Sequence, residues 1–160
     1  MGGAPRDRRH RGRGTRHAGQ VHPELEAALA PLLADLDVSC GVLPLVDDKS
    51  WQDDPDAASC WLFSPDGTGT GVWIPTGQRE VEQVVMLADQ VQEWAVESLW
   101  MLDRSASWPA CPYHPKRHPL AAREQAEQAV WTCPVLQERI CAVGALSRTR
   151  IRRRKLRHHA

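Results

Sequence analysis

The hydrophobic positions in residues 22–37 recur every three or four residues, which predicts an amphipathic helix. Pro23 suits the first turn of that helix, and the acidic residues after it suit the N-terminal end of the helix dipole. Pro31 interrupts the pattern, and we expect a kink there because its ring clashes with the carbonyl group four residues earlier. The apolar stripe, which is predicted to be core, comprises Leu25, Ala28, Leu29, Leu32, Leu33 and Leu36.

The pattern then changes to short apolar runs separated by turn residues, which is typical of strands. The run at 40–48 contains Pro44, so it predicts an edge strand rather than a central one. Residues 59–75 predict a β-hairpin whose turn is built on Pro65, Asp66 and Gly67. Its large side chains are expected to pack on one or both faces of the hairpin: Trp61, Phe63, Trp73 and Ile74.

A long helical pattern follows over residues 76–102, with Thr76 as the predicted N-cap. One face is apolar along its whole length, and Trp94 and Trp100 add large apolar area near its end. That face comprises Val84, Leu87, Ala88, Val91, Ala95, Ser98 and Leu102. These elements predict an α+β fold in which a small antiparallel sheet packs on two helices.

The last third of the chain has less regular patterning. The segment 121–128 has a helix-like composition but a length of only about two turns, which is marginal for an isolated helix. Residues 128–134 predict a strand ending at Cys133, and 140–146 predict another apolar strand. We therefore divide the predicted fold into a body at 21–106 and a zinc-knuckle-like hairpin at 107–146, flanked by basic tails at 1–20 and 147–160.

The 160-residue chain has no formal net charge, but its charges are segregated. Residues 1–20 and 147–160 hold thirteen of its twenty basic side chains, and both tails are predicted to be disordered. The segment 18–146 carries nineteen acidic and seven basic side chains, for a formal charge of −12. The tails are therefore candidates for contacts with nucleic acid, or for docking on the acidic body itself.

The absence of a long apolar run argues against a membrane partner, and the arginine-rich N-terminus has no apolar segment of a secretory signal. Five cysteines cannot all pair within one chain, which favours a reduced, cytoplasmic setting. The aspartates around Trp51 predict a solvated loop, because the ligand spacing and central glycine of a calcium-binding EF-hand are missing.

The candidate chemistry lies in the last third. Cys111 and His114 are spaced so that both can reach one ion from a tight turn, as in the knuckles of zinc ribbons. Cys133 is also followed by proline, but Leu136 stands where a second ligand would be needed. The fourth ligand is therefore expected to be His118, with Cys141 as the next candidate. The predicted structural zinc site is Cys111, His114, His118 and Cys133.

Two other interpretations of these residues stay open. The cysteines can pack as small hydrophobic side chains while the histidines cap or solvate a loop. Alternatively, Cys111 and His114 can serve a metal- or thiol-dependent enzyme, although no orienting acid or phosphate-binding motif accompanies them. The leading hypothesis is a small zinc-binding module that acts in protein or nucleic-acid interaction rather than in catalysis.

The segment W-P-x-C-P-x-H…H-P-L followed by A-V-W-x-C-P resembles a group of small uncharacterised proteins from high-GC actinobacteria. The likeness covers residues 79–146 and implies a shared architecture, with no activity to transfer. The hairpin before Val130 lacks the glycine-containing turn expected there. The matching positions are Trp108, Cys111, Pro112, His114, His118, Pro119, Trp131, Cys133 and Pro134.

Overall fold

The computed structural model describes residues 19–147 and shows an α+β fold with two helices and two antiparallel sheets of three strands each. The predicted basic tails lie outside these residues, apart from 19–20 and 147. The elements in chain order are α1 (Pro23–Ser39), β1 (Leu45–Asp47), β2 (Ala57–Phe63), β3 (Gly69–Pro75), α2 (Glu80–Met101), β4 (Ala121–Gln125), β5 (Gln128–Thr132) and β6 (Arg139–Ala142).

Helix α1 forms where the apolar repeat predicts it. The side chain of His22 caps its N-terminus by accepting a hydrogen bond from the backbone N–H of Glu24 at 3.3 Å. Pro31 lies inside the helix, which continues to Ser39. The predicted stripe is buried except for Leu33, which is partly buried. One polar residue, Asp35, is also fully buried on this helix.

The first sheet has the strand order β1-β2-β3, so β1 is an edge strand, as Pro44 predicts. The β2–β3 hairpin turns at Gly67, whose φ of 88° belongs to the left-handed region that favours glycine. Ile74 lies in the core, whereas Trp61 and Phe63 are partly exposed. Side chains alternate between the two faces of a strand, so this sheet has a core face and an outer face.

Helix α2 begins at Glu80, so the prediction of Thr76 as its N-cap is wrong. The N–H of Thr76 instead donates to the carbonyl oxygen of Asp56 at 2.8 Å, which extends the hairpin by one more contact. Gly77 then adopts a φ of 74°, which turns the chain before the helix starts. The predicted apolar face is buried as far as Ser98, but Leu102 is exposed, and so is Trp100.

Glutamine side chains of α2 bond to backbone groups of other segments. The amide of Gln90 accepts from the N–H of Trp73 at 2.9 Å and donates to the carbonyl oxygen of Trp73 at 2.8 Å. A side chain thereby provides hydrogen-bond partners for the backbone groups of Trp73 on the free edge of β3. Gln92 donates to the carbonyl oxygens of Trp108 and Leu120 at 3.2 and 2.7 Å, which fixes both ends of the intervening loop.

The second sheet has the order β4-β5-β6, so the helix-like interpretation of residues 121–128 is wrong. Strand β4 pairs with β5 through a two-residue turn at Ala126 and Glu127, whose φ values are 48° and 60°. The hairpin is therefore tight although it lacks glycine. Pairing Ala122 with Trp131 buries both side chains, and this burial outweighs the weak helical preference of so short a segment.

One cluster of buried side chains joins α1, α2 and both sheets, including the two cysteines of the candidate site. Its largest enclosed members are Trp94, Trp108 and Trp131. Among the described residues, no helix is both long and apolar enough to cross a membrane.

Candidate metal centre

The four residues predicted as ligands lie together in the structure. The potential ligand atoms of Cys111, His114, His118 and Cys133 are all within 4.8 Å of one another. The two cysteines are buried and the two histidines are half-buried. These four residues are therefore positioned to hold a metal ion.

The first three residues come from one closed loop. The backbone N–H of Leu120 donates to the carbonyl oxygen of Pro109 at 2.8 Å, and Ala110 and Pro119 form an isolated β-bridge. These contacts bring the two ends of the loop together. Cys111, His114 and His118 lie between those ends, so their spacing depends on a fixed loop base rather than on a free connection.

The fourth residue, Cys133, follows directly after β5. Its N–H donates to the carbonyl oxygen of Glu138 at 2.9 Å, and its carbonyl oxygen accepts from the N–H of Gln137 at 2.8 Å. A tight turn thus connects β5 to β6. The predicted strand is present but ends at Thr132, one residue before Cys133, and it brings the second Cys-Pro pair beside the first.

Each cysteine heads a turn whose backbone N–H groups point at its sulfur. The N–H of Leu136 lies 3.4 Å from the Sγ of Cys133. The corresponding groups of Tyr113 and His114 favour the thiolate form of Cys111. Such N–H···S bonds favour the deprotonated cysteine that a metal requires. Leu136 therefore contributes its backbone to the site, although its side chain cannot be a ligand.

The Nδ1 atom of His114 lies 3.6 Å from both sulfurs, those of Cys111 and Cys133. A tetrahedral zinc ion with Zn–S of about 2.3 Å and Zn–N of about 2.0–2.1 Å separates its sulfur and nitrogen ligands by about 3.6 Å. The His114 edges of the cluster thus already have the spacing of a zinc tetrahedron. The Nε2 atom of His118 lies 4.0 Å from the Cys133 sulfur, so this edge is slightly longer.

His118 is oriented by its own backbone neighbour. Its Nδ1 lies 2.9 Å from the carbonyl oxygen of Pro119, and only a protonated Nδ1 can donate to that oxygen. This hydrogen bond leaves the lone pair on Nε2, the atom that faces Cys133. A second ring nitrogen bonded to a carbonyl is the usual arrangement for a metal-binding histidine.

Two tryptophans anchor the site to α1. The indole N–H of Trp108 donates to the hydroxyl of Ser39 at 2.9 Å, and that of Trp131 donates to the carboxylate of Asp35 at 2.7 Å. The two indoles meet edge to face, with ring centroids 5.7 Å apart. Since Trp108 precedes Cys111 by three residues and Trp131 precedes Cys133 by two, the indoles fix the start of both turns.

The two thiols of the site differ in their acidity. Burial raises the pKa of Cys111, as does the neighbouring Cys133 sulfur, and the N–H groups of its turn offset this only in part. Burial acts the same way on Cys133, but the N–H groups of Leu136 and Val135 and the Cys111 thiol outweigh it and lower the pKa. A raised pKa at Cys111 is the opposite of what an activated nucleophile needs.

The other cysteines lie apart from this cluster. Cys141, the alternative fourth ligand, lies on β6 opposite Trp131, and burial raises the pKa of its thiol to about 11. Cys40 and Cys60 are buried in the core. Burial also raises the pKa of both of these thiols.

The residues that support the site were not singled out in the sequence. Asp35 lies seven residues after Ala28 and therefore on the apolar face of α1, where an acid is a signal of a buried hydrogen-bonding role. Gln92 gives no comparable signal, because its partners are backbone carbonyl groups distant in sequence.

Compared with protein-family models, curated proteins and solved structures, the chain matches none of them. The interpretation of the site therefore rests on its own geometry.

Proposed function

We propose that this protein is a small zinc-binding module in which two cysteines and two histidines hold a structural zinc ion. We further propose that the module acts in protein or nucleic-acid interaction rather than in catalysis. The observation that carries the proposal is the convergence of four ligand atoms to within 4.8 Å of one another. Thiolate and imidazole ligands favour zinc over magnesium or calcium, which prefer oxygen. A spacing of 3.6 Å from His114 to each sulfur fits the tetrahedral geometry of zinc.

The number of ligands favours a structural role. Catalytic zinc sites keep three protein ligands and leave the fourth position to water, whereas structural sites are closed by four. Here His118 would fill the fourth position, because its Nε2 lies 4.0 Å from the sulfur of Cys133. When bound, the ion would link the loop before β4 to the turn after β5. It would thereby connect the second sheet to a loop whose two ends are bonded to Gln92 of α2.

The first test is the metal content of the full chain purified without added zinc. We expect about one zinc per chain, retained through gel filtration. Cobalt substitution should give the absorption of a tetrahedral thiolate site, which reports coordination independently of stability. Protein that carries no zinc after purification and binds none from micromolar solution would contradict the proposal.

A matched pair of cysteine variants locates the ion. Cys133→Ser should lose the stoichiometric zinc and the cobalt spectrum, because serine does not replace a thiolate ligand. Cys141→Ser removes a cysteine that lies on the neighbouring strand and outside the cluster, so it should retain both. Equal zinc content in the two variants would exclude Cys133 as a ligand.

A chelator tests whether the ion is structural. Zinc binding in small domains contributes on the order of 10 kcal/mol to folding, so excess chelator should lower the melting temperature and open residues 107–146 to hydrogen exchange. Unchanged melting after complete zinc removal would contradict a structural role. Rapid alkylation of Cys111 at neutral pH in the zinc-bound protein would instead support thiol chemistry.

A further inference from the structure

The outer face of the first sheet, which lies away from the core, carries partly exposed apolar side chains. Leu45 pairs with Phe63 across the β1–β2 ladder, and Trp61 lies two residues before Phe63, so all three side chains share this face. Leu45 is 73 % exposed, and the neighbouring Leu43 and Trp51 are 48 % and 39 % exposed. Contiguous exposed apolar groups of this kind mark interaction surfaces.

Glycines on β3 allow the aromatic rings to lie across that strand. A Cβ atom at Gly69 would come within 2.6 Å of the Phe63 ring, and one at Gly71 would come within 2.7 Å of the Trp51 ring. The indole N–H of Trp51 also donates to the carbonyl oxygen of Val72 at 3.2 Å. The rings therefore have defined positions on the outer face.

A groove of about 490 Å³ runs beside the edge strand on this face. Its walls include Leu43, Leu45, Phe63 and Pro65. Trp61 continues the aromatic row beyond the groove, with its ring centroid 6.3 Å from those of both Trp51 and Phe63. The face thus combines an apolar groove with a row of aromatic rings. Together they can accommodate an extended polypeptide segment.

Asp47 lies on this face opposite Trp61 and lines the groove, and the loop that continues from it to β2 forms an acidic border. Within residues 40–78 the only basic side chain is Lys49, whereas five aspartates lie close to Trp51 in sequence. None of these carboxylates is within ion-pair distance of a basic side chain among residues 19–147. The five are Asp47, Asp48, Asp53, Asp54 and Asp56.

Aromatic rings beside carboxylates that form no ion pair are complementary to guanidinium groups. Arginine stacks on tryptophan through a cation–π contact and forms bidentate hydrogen bonds to carboxylates. Its side chain also carries an apolar stem that an apolar groove accommodates. Lysine matches this surface less well, because its ammonium group neither stacks flat nor bonds in a bidentate way.

The chain itself contains an arginine-rich segment, and this segment adjoins the acidic border of the sheet. Residues 1–18 contain six arginines, and they lie outside the described residues. The first residue after them, Gly19, donates its backbone N–H to the carboxylate of Asp48 at 2.7 Å. The basic C-terminal segment instead follows Leu146, which is bonded to Asp35 of α1.

We propose that the outer face of the first sheet is a docking surface for an arginine-rich segment, and that residues 1–18 of the same chain are its occupant. The contact of Gly19 with Asp48 delivers the segment to the acidic border. From there a few extended residues, each spanning about 3.3–3.6 Å, reach across the sheet. This docking does not involve the metal ligands and does not depend on the proposed zinc site.

The test compares the full chain with a version that begins at Gly19. Tryptophan indole N–H resonances are recorded in both, with assignments from single Trp→Phe variants. We expect those of Trp51 and Trp61 to differ between the two proteins, while that of Trp131 stays unchanged. A synthetic peptide of residues 1–18 added to the shortened protein should restore the shifts, and should do so less well at high salt.

Charge variants separate this face from the general acidity of the body. Asp53→Asn with Asp54→Asn should weaken binding of the peptide at least tenfold. Glu93→Gln with Glu97→Gln removes the same charge from exposed positions on α2 and should leave binding nearly unchanged. A peptide with lysine in place of every arginine should bind more weakly than the native one.

Three results would overturn the proposal. The first is identical Trp51 and Trp61 resonances in the full and shortened proteins. The second is equal weakening by the two pairs of charge variants, which would show only long-range attraction. The third is a set of shifts that depends on protein concentration and accompanies dimer formation, since the occupant would then be the segment of a second copy.

Discussion

The indole N–H of Trp131 donates a 2.7 Å hydrogen bond to the carboxylate of Asp35, a residue 96 positions earlier in the chain. The same carboxylate accepts backbone N–H groups from Gly144 at 2.6 Å and Leu146 at 2.8 Å. One buried side chain on α1 therefore holds both β5, which leads into the candidate metal centre, and the segment after β6. Because it gathers three donors, it is the main polar connection between α1 and the second sheet.

Replacing Asp35 by Asn should destabilise the protein. The amide has one oxygen, so its NH2 group must face at least one of the three N–H donors, and a buried unsatisfied donor costs about 1–3 kcal/mol. Chemical denaturation at neutral pH measures the loss. Asp37→Asn on the exposed side of the same helix is the control and should change little. Equal effects of the two variants would refute this role of Asp35.

The cost of Asp35→Asn should also depend on pH. Burial raises the pKa of Asp35, and the three donors offset that effect only in part. The folded state therefore holds this proton more tightly. The extra stability that protonation gives is full below the ordinary pKa of about 3.9 and is lost as the pH rises through the folded pKa, while the contribution of the three hydrogen bonds remains. The stability gap between the native chain and the variant should narrow from about pH 4 toward neutrality. Denaturation curves across this range measure the difference in unfolding free energy between the two proteins. A difference that widens with rising pH would contradict a raised pKa of Asp35.

Gln92 should be needed for the geometry of the metal centre. Its amide N–H group bonds to the carbonyl oxygens of Trp108 and Leu120, which are the two ends of the ligand loop. Gln92→Glu keeps the shape but replaces the donor with an acceptor, which should cost about 1–3 kcal/mol and speed metal loss to a chelator. Glu93→Gln, on the exposed neighbour, is the control. A chelation rate equal to that of the control would show that the loop holds its shape without Gln92.

The Cys/His cluster could be predicted because its information is local. The Cys111–His114 spacing and the repeated Cys-Pro pair identify three of its members, and proximity in sequence identifies His118. The residues that hold this cluster in place could not be found in the same way. Gln92 bonds to backbone groups rather than to a recognisable side-chain partner, and nothing in the pattern shows which carbonyls it reaches.

The fold shows the same division. Long periodic stretches predict both helices, and Pro44 correctly predicts an edge strand. Strand β4 was missed because its residues have weak strand preference, and its pairing with β5 is decided by burial of Ala122 and Trp131. The start of α2 was misplaced because Thr76 is a good capping residue whose backbone is already used by the hairpin.

The β4–β5 turn offers a stabilising change. Ala126 and Glu127 both have positive φ, a conformation that costs an L-residue about 1–2 kcal/mol. Ala126→Asn with Glu127→Gly introduces the pair preferred in two-residue hairpins, so we expect a gain of about 1–2 kcal/mol in unfolding free energy. Gln125→Gly, one residue earlier in β4, should instead lower stability because a strand glycine loses more backbone entropy. Thermal unfolding of both variants checks the sign, and a loss in the Asn-Gly variant would contradict the turn conformation.

Gly71 should be essential for the position of Trp51 on the outer face. An added Cβ would lie 2.7 Å from the indole Nε1, which bonds to the carbonyl oxygen of Val72. Gly71→Ala must therefore displace the ring and break this bond, and the indole N–H resonance of Trp51 should move toward its solvent-exposed position. Thr70→Ala, whose side chain lies on the opposite face, should leave that resonance unchanged.

The Gly71→Ala variant also tests whether docking of residues 1–18 depends on the position of the Trp51 ring. If residues 1–18 stack on Trp51, the peptide should bind the Gly71→Ala protein more weakly, even though no acidic group has been altered. Purely electrostatic attraction would leave the affinity unchanged, because the charge of the border is the same in both proteins. Peptide titrations at two salt concentrations separate these outcomes. A loss that persists at high salt, where charge attraction is screened, identifies the aromatic contact as the part that depends on Gly71.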